Sequence, residues 1–226
     1  MAINKENYSR ISEELKSKNI TLVAVSKTKL AEDILELYKM GHRDFGENYV
    51  QELEEKHDQL PKDIRWHFIG HLQSNKIKYI ASFVHLIHGI DSFKLLKEVD
   101  KQAKKINRTI DVLLQVHIGQ EETKFGLGEN ELNDLFNDHL SQLESLRNIN
   151  IKGLMGMASF SDDKEKIRKE FKYLKGLFDK HSSSESANRN FEILSMGMSG
   201  DYTIAMEEGT TMVRIGSLIF GERQPY

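Results

Sequence analysis

Leu22-Val23-Ala24-Val25-Ser26-Lys27 decides how the rest of this chain is read. The run is short and aliphatic, and a helical pattern follows Thr28, so it predicts a buried β-strand and not a helix. Comparable runs recur at 44–46, 66–70, 84–89, 110–118, 153–155, 191–194 and 212–215. Between them lie stretches of helical periodicity, at 31–40, 49–57, 75–81, 92–106, 130–146, 164–179 and 202–208. Eight β/α repeats with nearly continuous apolar strands predict an α/β fold, a single closed (β/α)8 TIM barrel. A doubly wound open sheet is the alternative. The Ser/Asn-rich segment 182–190 reads as a surface loop before the seventh strand, so residues 1–226 are read as one domain.

A chain of 226 residues has the length common to such barrels, and an apolar fraction of 38% is enough for a sizeable core. The net charge of −3, with lysine and glutamate mixed along the chain, gives no electrostatic case for nucleic acid or an anionic membrane. The lack of cysteine excludes disulfides, a thiol nucleophile and zinc–thiolate sites. Residues 1–11 are polar and charged with no apolar signal core, and no segment approaches a membrane span. A cytoplasmic location is expected.

In a barrel of this type, functional residues gather where strands end and the following loops begin. Lys27 ends the first strand. Burial there disfavours its ammonium form, and a neutral amine is the nucleophile that condenses with carbonyls. An ammonium snorkelling to water is the ordinary alternative. Glu47 and Asn48 follow the second strand, and Gly70, His71, Gln73 and Ser74 the third. The segment 119–126, with Glu122 and Lys124, follows the fifth. After the seventh comes Ser195-Met196-Gly197-Met198-Ser199-Gly200-Asp201, and after the eighth Gly216-Ser217. Glycine and serine turns at these two places match a phosphate site common to such barrels, with backbone N–H groups forming an anion nest.

Arg214 lies between Val213 and Ile215 in an apolar strand. A buried arginine needs a partner. The choice is a carboxylate such as Asp201 or Glu207, or the ring nitrogen of a bound heteroaromatic cofactor. His67 and His71 are four apart, and His85 and His88 three apart. Along strands and turns those spacings do not converge, and no acidic pattern accompanies them, so no metal is expected.

Taken together, several segments resemble, over nearly the whole chain, the YggS/PROSC family of pyridoxal phosphate homeostasis proteins. They are Leu22-Val23-Ala24-Val25-Ser26-Lys27-Thr28, Phe45-Gly46-Glu47-Asn48-Tyr49-Val50-Gln51-Glu52 and Trp66-His67-Phe68-Ile69-Gly70-His71-Leu72-Gln73-Ser74-Asn75-Lys76. The carboxy-terminal part adds Leu194-Ser195-Met196-Gly197-Met198-Ser199-Gly200-Asp201, Val213-Arg214-Ile215-Gly216-Ser217 and Ile219-Phe220-Gly221. The resemblance implies a barrel like the amino-terminal domain of alanine racemase, with pyridoxal 5′-phosphate (PLP) bound to Lys27 as an internal aldimine. It also implies that Asn48 lines the cofactor ring and Arg214 faces the pyridine nitrogen. Ser195, Met196, Ser199, Gly216 and Ser217 are implied to cradle or flank the phosphate. At His117 and Ser159 the chain departs from the family's pattern.

Two functional classes follow. One is a carrier that holds PLP, buffers its pool, supports amino-acid homeostasis and serves PLP-dependent apo-enzymes, as a monomer without catalytic residues of its own. The other is a PLP-dependent amino-acid racemase on the same barrel. A class I aldolase-like barrel is weaker, because Arg214 would have no role in it. The sequence stops at Tyr226, soon after the eighth strand, so no second domain is expected to offer an acid at the other face of the cofactor. Racemisation needs proton transfer at both faces. The carrier is therefore the expected function.

Overall fold

The computed structural model describes residues 3–119, 125–182 and 188–221. Its strands are β1 (Thr21–Val25), β2 (Asp44–Glu47), β3 (Arg65–Phe68), β4 (Leu86–Ile90), β5 (Ile110–Val116), β6 (Ile149–Gly156), β7 (Arg189–Ser195) and β8 (Met212–Ile215). They form a closed parallel barrel in sequence order. Closure rules out the open sheet: β1 pairs with β8 through Thr21–Met212, Leu22–Val213, Val23–Arg214 and Ala24–Ile215. The helices are α1 (Lys5–Ser17), α2 (Ala31–Lys39), α3 (Val50–Gln59), α4 (Ile77–Ile80), α5 (Phe93–Lys105), α6 (Glu129–Phe136), α7 (Leu140–Glu144), α8 (Lys164–Ser182), α9 (Tyr202–Glu207) and α10 (Ser217–Phe220). Among the described residues no helix is long and apolar enough to cross a membrane.

Strand alternation sorts the side chains into two layers. Leu22 and Ala24 of β1, Phe45 of β2, and Trp66 and Phe68 of β3 pack outward against helix residues such as Ile34, Leu37 and Leu53. Val23, Leu86, Leu113, Met155 and Met212 form a separate cluster that fills the lumen. The β7–β8 ladder is thin, with Ser195 opposite Met212. Thr210 reinforces it: its hydroxyl lies 2.9 Å from the carbonyl oxygens of Leu194, Met196 and Met212.

Two expectations change. The stretch 130–146 is not one helix but α6 and α7, broken at Asn137-Asp138-His139. Asn and Asp compete for backbone hydrogen bonds and favour turns over helix interiors. Helix α1, unforeseen in the polar amino-terminal stretch, is capped by the Asn4 side chain, which accepts from Asn7 N–H, and it buries a stripe of Tyr8, Ile11 and Leu15. Ser92 caps α5 as expected, accepting from the Leu95 N–H at 3.3 Å.

Strand β6 shifts register against both neighbours around Gly153. Gly153 has φ +146°, and a Cβ there would lie 1.9 Å from the Ile193 carbonyl oxygen. Backbone strain and overpacking each cost on the order of 1–3 kcal/mol. Gly153→Ala is expected to lower unfolding free energy in urea by about 3 kcal/mol or more. An unchanged denaturation midpoint would contradict this account of the bulge.

Candidate functional site

The carboxyl ends of the strands open on a cavity of about 630 Å³. Six of the eight residues assigned to the cofactor from sequence line it together: Lys27, Asn48, Ser199, Arg214, Gly216 and Ser217. Ser195 and Met196 do not. Ser195 ends β7 and is fully buried beneath the cavity, whereas Met196 points into the layer between barrel and helices. Glu122 and Lys124 lie outside the described residues. Lys29, Phe160 and Asp162 line the cavity without having been anticipated. The first lies only two residues beyond Lys27; the others lie in the loop after β6, for which the sequence reading named no candidate.

Arg214 is 3% exposed and forms part of the cavity wall. Its Nη1 donates to the Ser195 carbonyl at 2.9 Å and to the Ser195 hydroxyl at 2.6 Å. Its Nη2 donates to the Gly156 carbonyl at 3.1 Å. Three of the five guanidinium N–H donors are thus committed to protein acceptors. Neither carboxylate considered from sequence bonds to it. Asp201 accepts from the Met198 N–H at 2.5 Å, and Glu207 pairs with Arg168 at 2.5 Å. Burial pushes the guanidinium pKa down to about 10, against the opposing charge of Asp201.

Lys27 reaches the cavity from β1, and its neighbours are anchored on the outer side of the barrel wall. The Ser26 hydroxyl donates to Glu47 Oε1 at 2.6 Å. From α3, Lys56 Nζ donates to the Ser26 carbonyl (2.7 Å), Glu47 Oε1 (2.8 Å) and Glu52 Oε1 (2.7 Å). Glu52 Oε1 also accepts from the Thr28 N–H at 2.5 Å. Thr28 has φ +64°, a conformation unfavourable for a β-branched residue, so this bond holds a strained turn in place. Lys27 therefore stands between two residues fixed by one buried ionic cluster. Burial raises the Glu47 carboxyl to about 7; Lys56 opposes the shift and Glu52 adds to it.

The loops after β7 and β8 meet across the cavity. The Gly216 N–H donates to Ser199 Oγ at 3.3 Å, and the Arg214 N–H to the Gly197 carbonyl at 3.0 Å. Gly197 has φ +96°, and a Cβ there would come within 2.6 Å of Ala205 Cβ, so the turn requires glycine. Lys29 Nζ donates to the Phe220 carbonyl at 2.9 Å and ties the end of α10 to the β1 loop. Asn48 Oδ1 is buried with no hydrogen-bond partner among the described residues. Ser159, after β6, donates its N–H and hydroxyl to the buried Glu170 at 2.6 and 2.7 Å.

The histidines correct the spacing argument. His67 meets His88 at 2.9 Å and Asp44 at 3.1 Å, and Asp44, His67 and His85 gather with ligating atoms within 4.8 Å of one another. The convergence runs across β2, β3 and β4, where distance along one strand carries no information. Asp44 is already satisfied by a cation, since Arg65 Nε donates to Oδ1 at 2.7 Å and Nη2 bonds Oδ2. Burial alone would raise the Asp44 carboxyl, but the bonds from Arg65 and His67 hold it well below the usual carboxylate range.

The family model of the alanine racemase N-terminal domain matches residues 3–224. The chain is 43% identical over 204 residues to the pyridoxal phosphate homeostasis protein of Aquifex aeolicus, covering 90% of this chain and 87% of that protein. The chain belongs to the pyridoxal phosphate homeostasis protein family. The relative from Schizosaccharomyces pombe is 37% identical, covering 95% of this chain and 89% of its own. PipY of Synechococcus elongatus, solved with PLP bound, superposes with a TM-score of 0.83 at 32% identity, over 95% of this chain and 100% of PipY. Alanine racemase of Clostridium difficile 630 shares the fold, with a TM-score of 0.74 at 15% identity over 98% of this chain and 57% of the racemase.

In this member of the homeostasis family, Glu47 makes stability depend on pH. Its folded-state pKa of about 7 lies above the ordinary 4.5, so its contribution is fully present below pH 4.5 and is lost as pH rises through 7. Between about pH 5 and about pH 8, unfolding free energy of the wild type should fall relative to Glu47→Gln by on the order of 3 kcal/mol. Parallel pH profiles of the two proteins would show Glu47 to be ionised throughout.

Proposed function

We propose that this chain is a PLP carrier, holding the cofactor in the cavity and returning it to the pool that sustains vitamin B6 and amino-acid homeostasis. The observation that carries the reading is Arg214, a buried cation on the cavity wall that, among the described residues, has no bonded carboxylate and two N–H donors left over. A neutral nitrogen heterocycle bearing anionic groups answers both its charge and its donors. The cavity volume falls within the range of small-molecule sites. The other groups fit the remaining handles of PLP. Lys27 would hold the aldehyde, Ser199 and the Gly216-Ser217 turn the phosphate, and the amide of Asn48, whose Oδ1 has no partner among the described residues, would lie against the ring. Ser195 would act from behind, through Arg214, and Met196 by packing under the loop.

When bound, PLP supplies an electrophilic aldehyde and an electron-accepting ring. The chain's own residues favour holding over turnover. Among the described residues the cavity lining has no histidine and no tyrosine, and of its carboxylates Asp162 is exposed and Asp201 is engaged by the Met198 N–H. Racemisation would need a placed acid or base at each face. Arg214, a permanent cation, also disfavours protonation of a ring nitrogen beside it, which weakens the ring as an electron sink. We take residues 1–226 to act as one domain and as a cytoplasmic monomer that gives PLP to apo-enzymes.

Borohydride reduction of the PLP-loaded protein, followed by peptide mass spectrometry, is expected to place the adduct on Lys27. An adduct chiefly on Lys29 or Lys76 would overturn the assignment. The carrier reading is tested by incubating loaded protein with each L- and D-amino acid in deuterated water and following chirality and α-proton exchange. Turnover well below about 1 s⁻¹ is expected, and ordinary enzyme rates would restore the racemase.

A further inference from the structure

Barrel lumens of this kind are normally filled by layers of bulky aliphatic side chains. Beside the apolar cluster here runs a column of polar side chains whose histidines and aspartate no step of the cofactor reading uses. Arg214 Nη1 donates to Ser195 Oγ at 2.6 Å, and Ser195 Oγ lies 3.3 Å from His88 Nδ1. His88 Nε2 lies 2.9 Å from His67 Nδ1, and His67 Nε2 lies 3.1 Å from Asp44 Oδ1. Ser195 and His88 are 0% exposed and His67 is 1% exposed. Asp44 is the first residue of β2, so the column runs from the cavity floor to the amino-terminal mouth of the barrel.

The two ends give this column one direction. A guanidinium only donates and an ionised carboxylate only accepts. The Ser195 oxygen accepts from Arg214, and its single hydrogen goes to His88 Nδ1. His88 then carries its hydrogen on Nε2 and donates it to His67 Nδ1, and His67 donates its own Nε2–H to Asp44. With both imidazoles neutral, this arrangement satisfies every member. Burial is the main cause that keeps His88 well below the ordinary histidine pKa, which suits its role as acceptor.

We propose that His88, backed by His67, is a positioning residue for Arg214: by accepting the hydrogen bond of the Ser195 hydroxyl it turns the Ser195 lone pair onto Nη1 and fixes the guanidinium toward the ring nitrogen of the cofactor. The inference rests on reading Arg214 as the partner of that nitrogen. Loss of the His88 acceptor would leave a buried hydroxyl to find another partner, and its natural alternative swings the lone pair off Arg214.

The test compares dissociation constants for PLP and for 1-deazapyridoxal 5′-phosphate, in which a C–H replaces the ring nitrogen. The wild type is expected to prefer PLP by roughly tenfold or more, the weight of one charge-assisted hydrogen bond. His88→Leu should lose most of that preference, while His88→Asn, whose amide oxygen stands near the place of Nδ1, should keep it. A purely structural role for His88 would weaken both ligands alike and leave the preference intact, and that result overturns the proposal. If His88→Leu does not fold, Ser195→Ala removes the same link with the smallest change, and an unaltered preference there is equally fatal. Arg214→Met separates the two levels. Wild-type preference in that variant overturns the assignment of Arg214 itself, whereas loss there without loss in the His88 and Ser195 variants overturns positioning alone.

Discussion

A guanidinium almost wholly buried in a barrel can borrow few hydrogen bonds from water, and the arrangement around Arg214 follows from that constraint. Its protein acceptors are the Ser195 and Gly156 carbonyls and the Ser195 hydroxyl, at the ends of β7 and β6. The charge therefore ties β8 to two other strands in the region where the β7–β8 ladder itself is thin. Among the described residues no bonded carboxylate cancels it, so a positive floor is left under the cavity. An anionic, electron-rich occupant is favoured before any individual contact is counted.

The opposite side of the wall is organised by a different cation. Lys56 is buried between β1, β2 and α3 and bonds Ser26, Glu47 and Glu52 at once. Removing one partner of such a buried cluster strands a charge, which makes the cluster rigid as well as costly. The chain on either side of Lys27 is thus held from outside the barrel and Arg214 from inside it. The two supports share no residue, and period-two alternation keeps them apart: Ser26 and Glu47 face outward, while Lys27 and Asn48 face the cavity.

That alternation also explains what could be read from the chain and what could not. Lys27 and Arg214 were legible because a charged residue inside or just after an aliphatic run is conspicuous, and the eight runs themselves foretold the barrel. The serine–glycine loops were legible as a group, but their individual members were not. One step along β7 decides between Ser195 in the lumen and Met196 in the outer wall, and the strand's end is blurred in sequence by the turn that follows. The His67–His88–Asp44 column was invisible because its members meet across three strands, through a register that no spacing encodes. The α6–α7 break was present in Asn137-Asp138-His139, but Leu132, Leu135, Leu140 and Leu143 kept a helical rhythm across it. The Lys56 cluster lacked a signal of its own, since a polar helix with alternating charges reads as solvated.

Lys27 and Arg214 are separated by about 190 residues yet stand on strands that pair directly. A ligand gripped by both is a clasp across the last seam of the barrel to close. During synthesis such a clasp cannot engage until the final strand has left the ribosome, so a nascent or truncated chain would be blind to the cofactor. In the finished protein, on the proposed reading of the site, the same clasp would couple vitamin supply to fold lifetime, because whatever binds only the closed form resists its opening by mass action. Scarcity of the cofactor would then be felt first as a loosening between β1 and β8, and the carrier's own turnover would track the pool it serves.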